Sequence, residues 1–184
     1  MIMWNVNSIV NPKNDFLKKL VLRMTFSDII ILLEPNKEVS INNYKSCSAL
    51  PLNNKLYLQV LTKEWMKIIQ ESDKNESDFI LLKCFNSKTH FYLLAVYLHP
   101  LDSNRRINVL NMIERYIFDD LKDEQLIIAG DFNYDLNTNK KYTKDEQKQF
   151  QNISKATDRD ITSDHTWILG GDEFKDKKTL IDYV

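Results

Sequence analysis

The sequence has few of the residues that support disulfide-linked, metal-thiolate or membrane-spanning structures. Only two cysteines, Cys47 and Cys84, occur among 184 residues, and their separation fits neither a zinc motif nor a disulfide framework. No apolar run approaches the roughly 18 residues of a membrane helix. The N-terminus lacks the basic lead and apolar core of a signal peptide. We therefore expect a soluble, intracellular protein, nuclear or cytoplasmic, with reduced thiols and no membrane partner.

The charge of the chain is nearly balanced, with a formal net charge of −1. A protein that binds a nucleic acid duplex usually has a basic surface, because neutralised phosphates supply much of its affinity. The balance does not exclude a nuclease, since a bound cation offsets carboxylates at its site. The hydrophobic share of 43% supports a sizeable core, and the length fits a single domain over residues 1–184.

Strand-like and helix-like segments are mixed along the chain. Compact apolar runs predict strands at 1–6, 28–33, 55–61, 79–85, 91–97, 126–129, 165–169 and 179–184. Helical spacing predicts helices over 11–24, 62–70 and 107–121, and Thr143 with Glu146 fits the capping box of a further polar helix. We expect Gly130 to end its strand. The runs at 79–85 and 91–97 predict an antiparallel hairpin, so the chain is an α/β domain with at least one mixed sheet.

Polar residues cluster where the predicted strands end, which is where open α/β domains usually build their sites. Residues two apart on a strand point to the same face. Glu34 is followed by Pro35, which discourages continuation of its strand. Each of these residues alone is more often a turn or cap residue, and the ordered set carries the inference. The candidates are Asn5, Asn7, Glu34, Tyr97, His99, Asp131, Asn133 and Asp182.

These side chains suit magnesium-assisted chemistry on a phosphodiester. Magnesium prefers oxygen ligands, often one or two carboxylates with water and substrate phosphate. Glu34 and Asp131 could supply the carboxylates. Cleavage further needs a positioned water, charge neutralisation and stabilisation of the leaving oxygen.

Six segments of the chain resemble, in order, the motifs of the endonuclease/exonuclease/phosphatase superfamily. The match to its G-D-F-N signature is Gly130 to Asn133. This superfamily includes apurinic/apyrimidinic endonucleases, pancreatic-type deoxyribonucleases, endonuclease domains of non-LTR retrotransposons and inositol-polyphosphate phosphatases. The motif sequences of this chain are most similar to those of the first and third groups. The segments are W-N-V-N-S-I at 4–9, I-I-I-L-L-E at 29–34, A-V-Y-L-H-P at 95–100, G-D-F-N at 130–133, H-T-W at 165–167 and I-D-Y-V at 181–184.

The resemblance implies a four-layer α/β sandwich, with two mixed β-sheets packed face to face and helices outside. It also implies a magnesium site, with Mn²⁺ as an alternative ion, and DNA as the nucleic acid partner. Asn5 and Glu34 would lie at this metal site, with Asn7 supporting the metal or the phosphate.

The resemblance assigns the remaining candidates to the reacting groups. Asp131 would orient or deprotonate the attacking water, and Asn133 would hold water or phosphate. Tyr97 would contact the scissile phosphate, although His99 is the alternative by likeness to the pancreatic-type enzymes. Asp182 would fix the tautomer of a catalytic histidine, as carboxylates beside histidines do.

The resemblance fails at the end of the family pattern. The family has a further strand and an S-D-H motif after I-D-Y-V, whereas this sequence ends at Val184. We therefore expect an incomplete domain that lacks its last strand or strands. Ser163-Asp164-His165 spells S-D-H but precedes Asp182, and we interpret it as coincidence. Leu33 also replaces the Gln that often precedes the metal-binding Glu.

Three hypotheses follow from the sequence. The first is a magnesium-dependent DNA endonuclease domain, inactive if the missing motif is essential. The second is a non-catalytic remnant or binding module of the same fold. The third keeps the fold but acts on a phosphoinositide or another phosphoester, because metal-site motifs address phosphate rather than the rest of the ligand.

Overall fold

The computed structural model describes residues 1–6, 27–72, 76–87, 89–133, 142–157 and 179–182. These residues form two mixed β-sheets. Sheet one has the order β1-β2-β4-β3. In it β1 is parallel to β2, and the other neighbours are antiparallel. Its strands are β1 (Ile2–Asn5), β2 (Ile29–Asn36), β3 (Tyr44–Ser48) and β4 (Leu56–Lys63).

Sheet two has the order β5-β6-β7-β8-β9. The predicted hairpin is confirmed, since β6 and β7 are antiparallel, whereas β8 is parallel to both β7 and β9. Parallel strands align their carboxyl ends, so Tyr97 lies in register with Asp131. The strands are β5 (Lys67–Gln70), β6 (Phe79–Phe85), β7 (His90–Tyr97), β8 (Leu126–Asp131) and β9 (Thr179–Asp182).

The two sheets pack face to face. One buried cluster joins residues of sheet one, such as Ile31 and Leu58, to residues of sheet two, such as Leu93 and Ala129. A second cluster lies on the other face of sheet two, under the helices α1 (Ser103–Arg115) and α2 (Lys144–Ala156). A π-helical turn, Tyr116–Asp120, extends α1. The predicted α/β sandwich with two packed mixed sheets is thereby confirmed.

The helix predicted at 107–121 begins earlier, at Ser103, whereas the polar helix begins at its predicted capping box. The Asp102 side chain accepts the Arg105 N–H at the start of α1. Thr143 and Glu146 form the expected capping box of α2, in which each side chain accepts a backbone N–H of the other residue. Neither helix has the length and apolar character needed to cross a bilayer, and no other described helix does.

Several local predictions were wrong. The segment 62–70 is not a helix, because β4 continues to Lys63 and Lys67–Gln70 pairs with β6. Gly130 does not end its strand, since β8 pairs on both sides through that residue. Pro35 does not end β2 either, which resumes pairing at Asn36 after a bulge. The predicted helix at 11–24 and strand at 165–169 lie outside the described residues.

Candidate active site

Four of the candidate residues meet where the two sheets open at the carboxyl ends of their parallel strands. The Asn5 amide at the end of β1 donates to Asp131 Oδ2 at the end of β8, over 3.3 Å. The Tyr97 hydroxyl at the end of β7 donates to Glu34 Oε1 on β2, over 2.8 Å. Each hydrogen bond crosses from one sheet to the other. Residues far apart in sequence thus line one shared mouth of the sandwich.

Glu34 reaches this mouth from an irregular backbone. It has a φ of 52°, in the left-handed region, and lies in the bulge between Leu33 and Asn36. Bulges re-aim side chains out of the regular alternation. A left-handed backbone is strained for a residue with a long side chain, and such strain is retained where surrounding contacts enforce it. The hydrogen bond from Tyr97 is one such contact.

Asp131 is held at the end of a tightly packed strand. A Cβ on the preceding Gly130 would lie 1.9 Å from the Val96 carbonyl oxygen, so this position requires glycine. Asp131 is only 6% exposed, and its Oδ1 accepts the Asn133 N–H over 2.8 Å. Its two carboxylate oxygens therefore have separate, fixed donors.

The pKa of Asp131 is above the usual range of an aspartate. Burial is the largest cause and raises the pKa, while the N–H of Asn133 lowers it. The negative charge of Glu34 raises it again, the amide of Asn5 lowers it, and the resulting pKa is about 6. Such a carboxylate is a stronger base than an exposed aspartate.

Asn133 ties the two strand ends of sheet two together. Its side-chain amide donates to the Leu98 carbonyl over 2.8 Å, and Leu98 N in turn donates to the Asp131 carbonyl over 2.8 Å. Asn133 has a φ of 48°, a left-handed conformation that asparagine tolerates better than most residues. The Tyr142 hydroxyl donates to the Asn133 carbonyl.

Two aromatic rings and an imidazole lie together beside the carboxylates. The ring of Tyr57, on β4, stacks on Tyr97 with 5.1 Å between centroids, and it meets His99 edge-on at 6.1 Å. Burial and the hydrogen bond to Glu34 raise the pKa of Tyr97, so its hydroxyl remains a donor. His99 is half-buried, and its Nδ1 accepts the Leu101 N–H over 3.3 Å. Both candidates for the phosphate contact, Tyr97 and His99, therefore lie beside the carboxylates.

Of the two remaining candidates, Asp182 and Asn7, the structure describes only the backbone of Asp182. The backbone of Asp182 lies in register with Gly130, so the end of β9 adjoins the end of β8 that carries Asp131. Asn7 lies outside the described residues. The catalytic and metal-binding roles given to all eight candidates remain predictions.

Sequence reasoning missed the residues that support the site. Tyr57 was counted only as part of a strand. Arg106 is buried and paired with Glu146, and the pattern contained a signal for it. An arginine at position 106 falls in the apolar helical series of Val109, Leu110 and Ile113, where a charged residue needs a buried partner.

The donor set at the mouth fits a magnesium ion. No cluster of three or more His, Cys, Asp or Glu side chains occurs within the described ranges. Magnesium does not require one, because it is commonly held by one or two carboxylates, with water and substrate phosphate as the remaining ligands. The negative charge of Glu34 raises the pKa of Asp131, and a cation at this mouth would relieve the repulsion between the two carboxylates. The Asn5 amide adds an oxygen donor nearby.

No protein-family model matches the chain, and no curated protein matches its sequence. Solved structures do match. The endonuclease domain of TRAS1, a telomere-specific non-LTR retrotransposon, has a TM-score of 0.64 at 12% identity, over 85% of this chain and 70% of that one. A humanized D. rerio TDP2 has a TM-score of 0.57 at 16% identity, over 83% of this chain and 65% of that one.

D. rerio TDP2 complexed with single strand DNA product has a TM-score of 0.52 at 16% identity, over 76% of this chain and 62% of that one. This chain thus covers less than two thirds of either TDP2 chain. At these identities the likeness establishes the fold. The chain has an endonuclease/exonuclease/phosphatase-type fold, as its motifs predicted.

Proposed function

We propose that this chain is a magnesium-dependent phosphodiesterase domain that cleaves DNA. The observation that carries the proposal is the crossed pair of hydrogen bonds at the mouth, Asn5 to Asp131 and Tyr97 to Glu34. Together they hold two carboxylates from different sheets close enough for one to raise the pKa of the other. Two facing carboxylates with neutral amide and hydroxyl donors suit a cation and a phosphate better than an apolar ligand.

Glu34 and Asn5 would hold Mg²⁺, and Mn²⁺ would substitute for it. When bound, the ion neutralises charge on the phosphoryl oxygens during hydrolysis. The Tyr97 hydroxyl fixes Oε1 of Glu34, and the second oxygen of that carboxylate would bind the ion. The left-handed backbone of Glu34 keeps its side chain directed at the mouth.

Asp131 would be the base that takes a proton from the attacking water. Its pKa of about 6 leaves it mostly ionised at neutral pH while making it a better proton acceptor than an ordinary aspartate. The donors Asn5 and Asn133 orient the two oxygens without neutralising them. Orientation of this kind reduces the reorganisation needed when the proton moves.

The remaining candidates would contact the phosphate. Tyr97 or His99 would donate to a phosphoryl oxygen, and Asn133 would hold water or phosphate. Asp182 would act on a histidine, as the sequence motif implies. DNA as the substrate is supported by two structural neighbours, an endonuclease domain and a TDP2 structure that contains a single strand DNA product.

The test is cleavage of supercoiled plasmid and of an abasic-site duplex by the whole chain, with Mg²⁺ and with EDTA. Asp131→Asn and Glu34→Gln keep side-chain size and remove the charge, and we expect rates to fall by about 10²–10⁴-fold. Glu64→Gln, at an exposed turn residue, is the matched control. Cleavage that survives both site substitutions, or that persists in EDTA, contradicts the proposal.

Binding of Mn²⁺, followed by electron paramagnetic resonance, separates the alternatives. A chain that binds Mn²⁺ through Glu34 but cleaves neither DNA substrate favours the non-catalytic remnant. Release of phosphate from inositol polyphosphates, with DNA left intact, favours the phosphoester alternative. DNA cleavage that depends on the same two carboxylates supports the endonuclease.

A further inference from the structure

Two loops leave the site end of sheet two and lead to the two helices. The first comprises residues 98–102, between Tyr97 and the start of α1 at Ser103. The second is described at residues 132–133, after Asp131, and at residues 142–143, before α2 begins at Lys144. They carry His99 and Asn133, so the positions of both side chains depend on how the loops are held. The hydrogen bond from Asn133 Nδ2 to the Leu98 carbonyl is a direct contact between the loops.

Arg106 holds the first loop by its main chain. Its Nη1 donates to the carbonyls of His99 and Pro100, each over 2.9 Å. Its Nε donates to Glu146 Oε1 on α2 over 2.8 Å, and both side chains are almost completely buried, at 3% and 0% exposure. A planar guanidinium can make these bonds at once because its donors are arranged as a rigid fork.

Glu146 and Tyr142 hold the second loop. Glu146 Oε2 accepts the Thr143 N–H over 2.6 Å, which fixes the start of α2. The Tyr142 ring lies against the guanidinium of Arg106, with 5.3 Å between ring centroid and Cζ. The Tyr142 hydroxyl donates to the Asn133 carbonyl, and the Asn133 N–H donates to Asp131. These contacts connect the first loop, through Arg106, Glu146 and Tyr142, to the second loop and to Asp131, the proposed base. We call this set of contacts the positioning circuit.

Stability alone does not account for this circuit. Replacing a buried ion pair by apolar residues is often neutral or stabilising, so a buried pair is weak evidence for a stabilising role. Arg105, the neighbour of Arg106, is more exposed, and its guanidinium donates to the side chains of Asp78 and Ser77. What distinguishes Arg106 is that its donors end on the backbone of the site loop.

We infer that Arg106, Glu146 and Tyr142 are positioning residues, which fix the loops bearing His99 and Asn133 relative to Asp131. The inference rests on the proposed function for its effect on catalysis, but the circuit itself can be tested without activity. The contacts that tie them to the candidate residues go to main-chain carbonyls, from Tyr142 to Asn133 and from Arg106 to His99. Their loss should therefore change the geometry of the site rather than its chemistry.

The test compares Tyr142→Phe and Arg106→Lys with Arg115→Gln in the whole chain. Tyr142→Phe keeps the ring and removes one hydroxyl, and Arg106→Lys keeps the charge and removes the fork. Arg115→Gln removes an exposed arginine–carboxylate pair of the same helix, with Asp120. The readouts are kcat and KM for plasmid nicking with Mg²⁺, the Tm, and hydrogen exchange of the Asn133 amide by NMR.

We expect Tyr142→Phe to lower kcat by about 10-fold, and Arg106→Lys by more, because small displacements of reacting groups cost up to about 10²-fold. KM should change little in both variants, and kcat and KM of the Arg115→Gln control should stay close to those of the wild type. Faster exchange of the Asn133 amide in Tyr142→Phe is the structural signature. Unchanged kcat and unchanged exchange in that variant overturn the inference, as does a lowered Tm with kcat intact.

The exchange measurement still tests the positioning circuit if the chain does not cleave DNA. A wild-type chain that cleaves no plasmid contradicts the endonuclease proposal but leaves the exchange measurement intact. Loss of protection at Asn133 in Tyr142→Phe, absent from Arg115→Gln, would then still support the positioning circuit. Equal protection in both variants would overturn it.

Discussion

The two carboxylates of the candidate site are brought to the same place by different means in the two sheets. In sheet two, β8 runs regularly to Asp131 and pairs with neighbours on both sides up to Gly130. In sheet one, β2 is interrupted by a bulge, and Glu34 and Asn36 both have left-handed backbones. Regular pairing thus positions one carboxylate, and local irregularity positions the other.

Because of this difference, the two halves of the site should respond differently to substitutions. The sheet-two half is supported by many contacts, including the buried cluster beneath α1 and α2. In the sheet-one half, the direction of the Glu34 side chain depends on a left-handed backbone and on the hydrogen bond from Tyr97. We therefore expect changes in sheet two to act mainly through global stability, and changes near Glu34 to act mainly through the site.

The largest expected effect is on the sheet-two side, at Phe132. This ring is fully buried beside Asp131 and meets Phe150 edge-on, with 6.0 Å between centroids. Phe132→Ala should lower the free energy of unfolding by about 4 kcal/mol, because it removes a large side chain from a packed core. Urea denaturation measures this change.

A smaller change on the sheet-one side is Val39→Ala, at a half-buried residue between β2 and β3 that packs against the outer cluster of that sheet. It should cost about 1 kcal/mol, since two partly buried carbons are lost. A cost for Val39→Ala as large as that of Phe132→Ala would contradict this expectation.

The second-largest effect is expected at Gly130, where two strands pack closely. Gly130→Ala should destabilise the chain by about 3 kcal/mol. Its new methyl would overlap the Val96 carbonyl, and backbone atoms cannot give way as a flexible side chain does. Asn36→Gly should leave stability nearly unchanged, because glycine adopts the left-handed φ of 59° without strain. Thermal unfolding of both variants tests the comparison, and tolerance of alanine at 130 would contradict it.

A smaller effect is expected from the hydrogen bond that crosses the sheets. Tyr97→Phe removes the donor to Glu34 and should cost about 1 kcal/mol of stability. It should also weaken Mn²⁺ binding, because the carboxylate loses its fixed orientation. Tyr57→Phe keeps the stacked ring and is the control. If both variants bind Mn²⁺ as the wild type does, the Tyr97 hydroxyl does not position Glu34.

The mildest test changes no residue and compares one thiol from each sheet. Burial raises the pKa of Cys84, on β6, from 9.0 to about 12, whereas Cys47 lies half-buried on β3. The thiolate is the reactive form, so a three-unit rise lowers its population at pH 8 about 1000-fold. Iodoacetamide should label Cys47 first and Cys84 only in urea. Early native labelling of Cys84 would indicate an open core.

The sequence predicts much of this fold because strand periodicity and burial are local signals. The runs at 79–85, 91–97 and 126–129 were identified in this way, and the strand-end residues followed from them. Segments that form strands only by pairing with residues distant in the sequence were not identified. Lys67–Gln70 is a strand because it pairs with β6, and Tyr44–Ser48 is a largely polar strand without an apolar run to mark it.

The candidate site was predicted unevenly for a similar reason. Asn5, Tyr97 and Asp131 lie at strand ends and Glu34 lies in the bulge of β2. All four belong to recognisable motifs, so a one-dimensional pattern suffices to select them. Arg106 and Glu146 are forty residues apart and meet only through the packing of two helices. The continuation of β2 past Pro35 was also missed, because a bulge lets a strand resume where proline interrupts the pairing.

The backbone at Glu34 restricts which substitutions this position can accept. A β-branched residue fits a left-handed φ poorly, and glycine fits the backbone but has no carboxylate. Aspartate tolerates the conformation better than glutamate, yet its shorter side chain draws the carboxylate away from the Tyr97 hydroxyl. Few amino acids satisfy both the main-chain and the charge requirement, so random mutation would remove an acid here more readily than restore one.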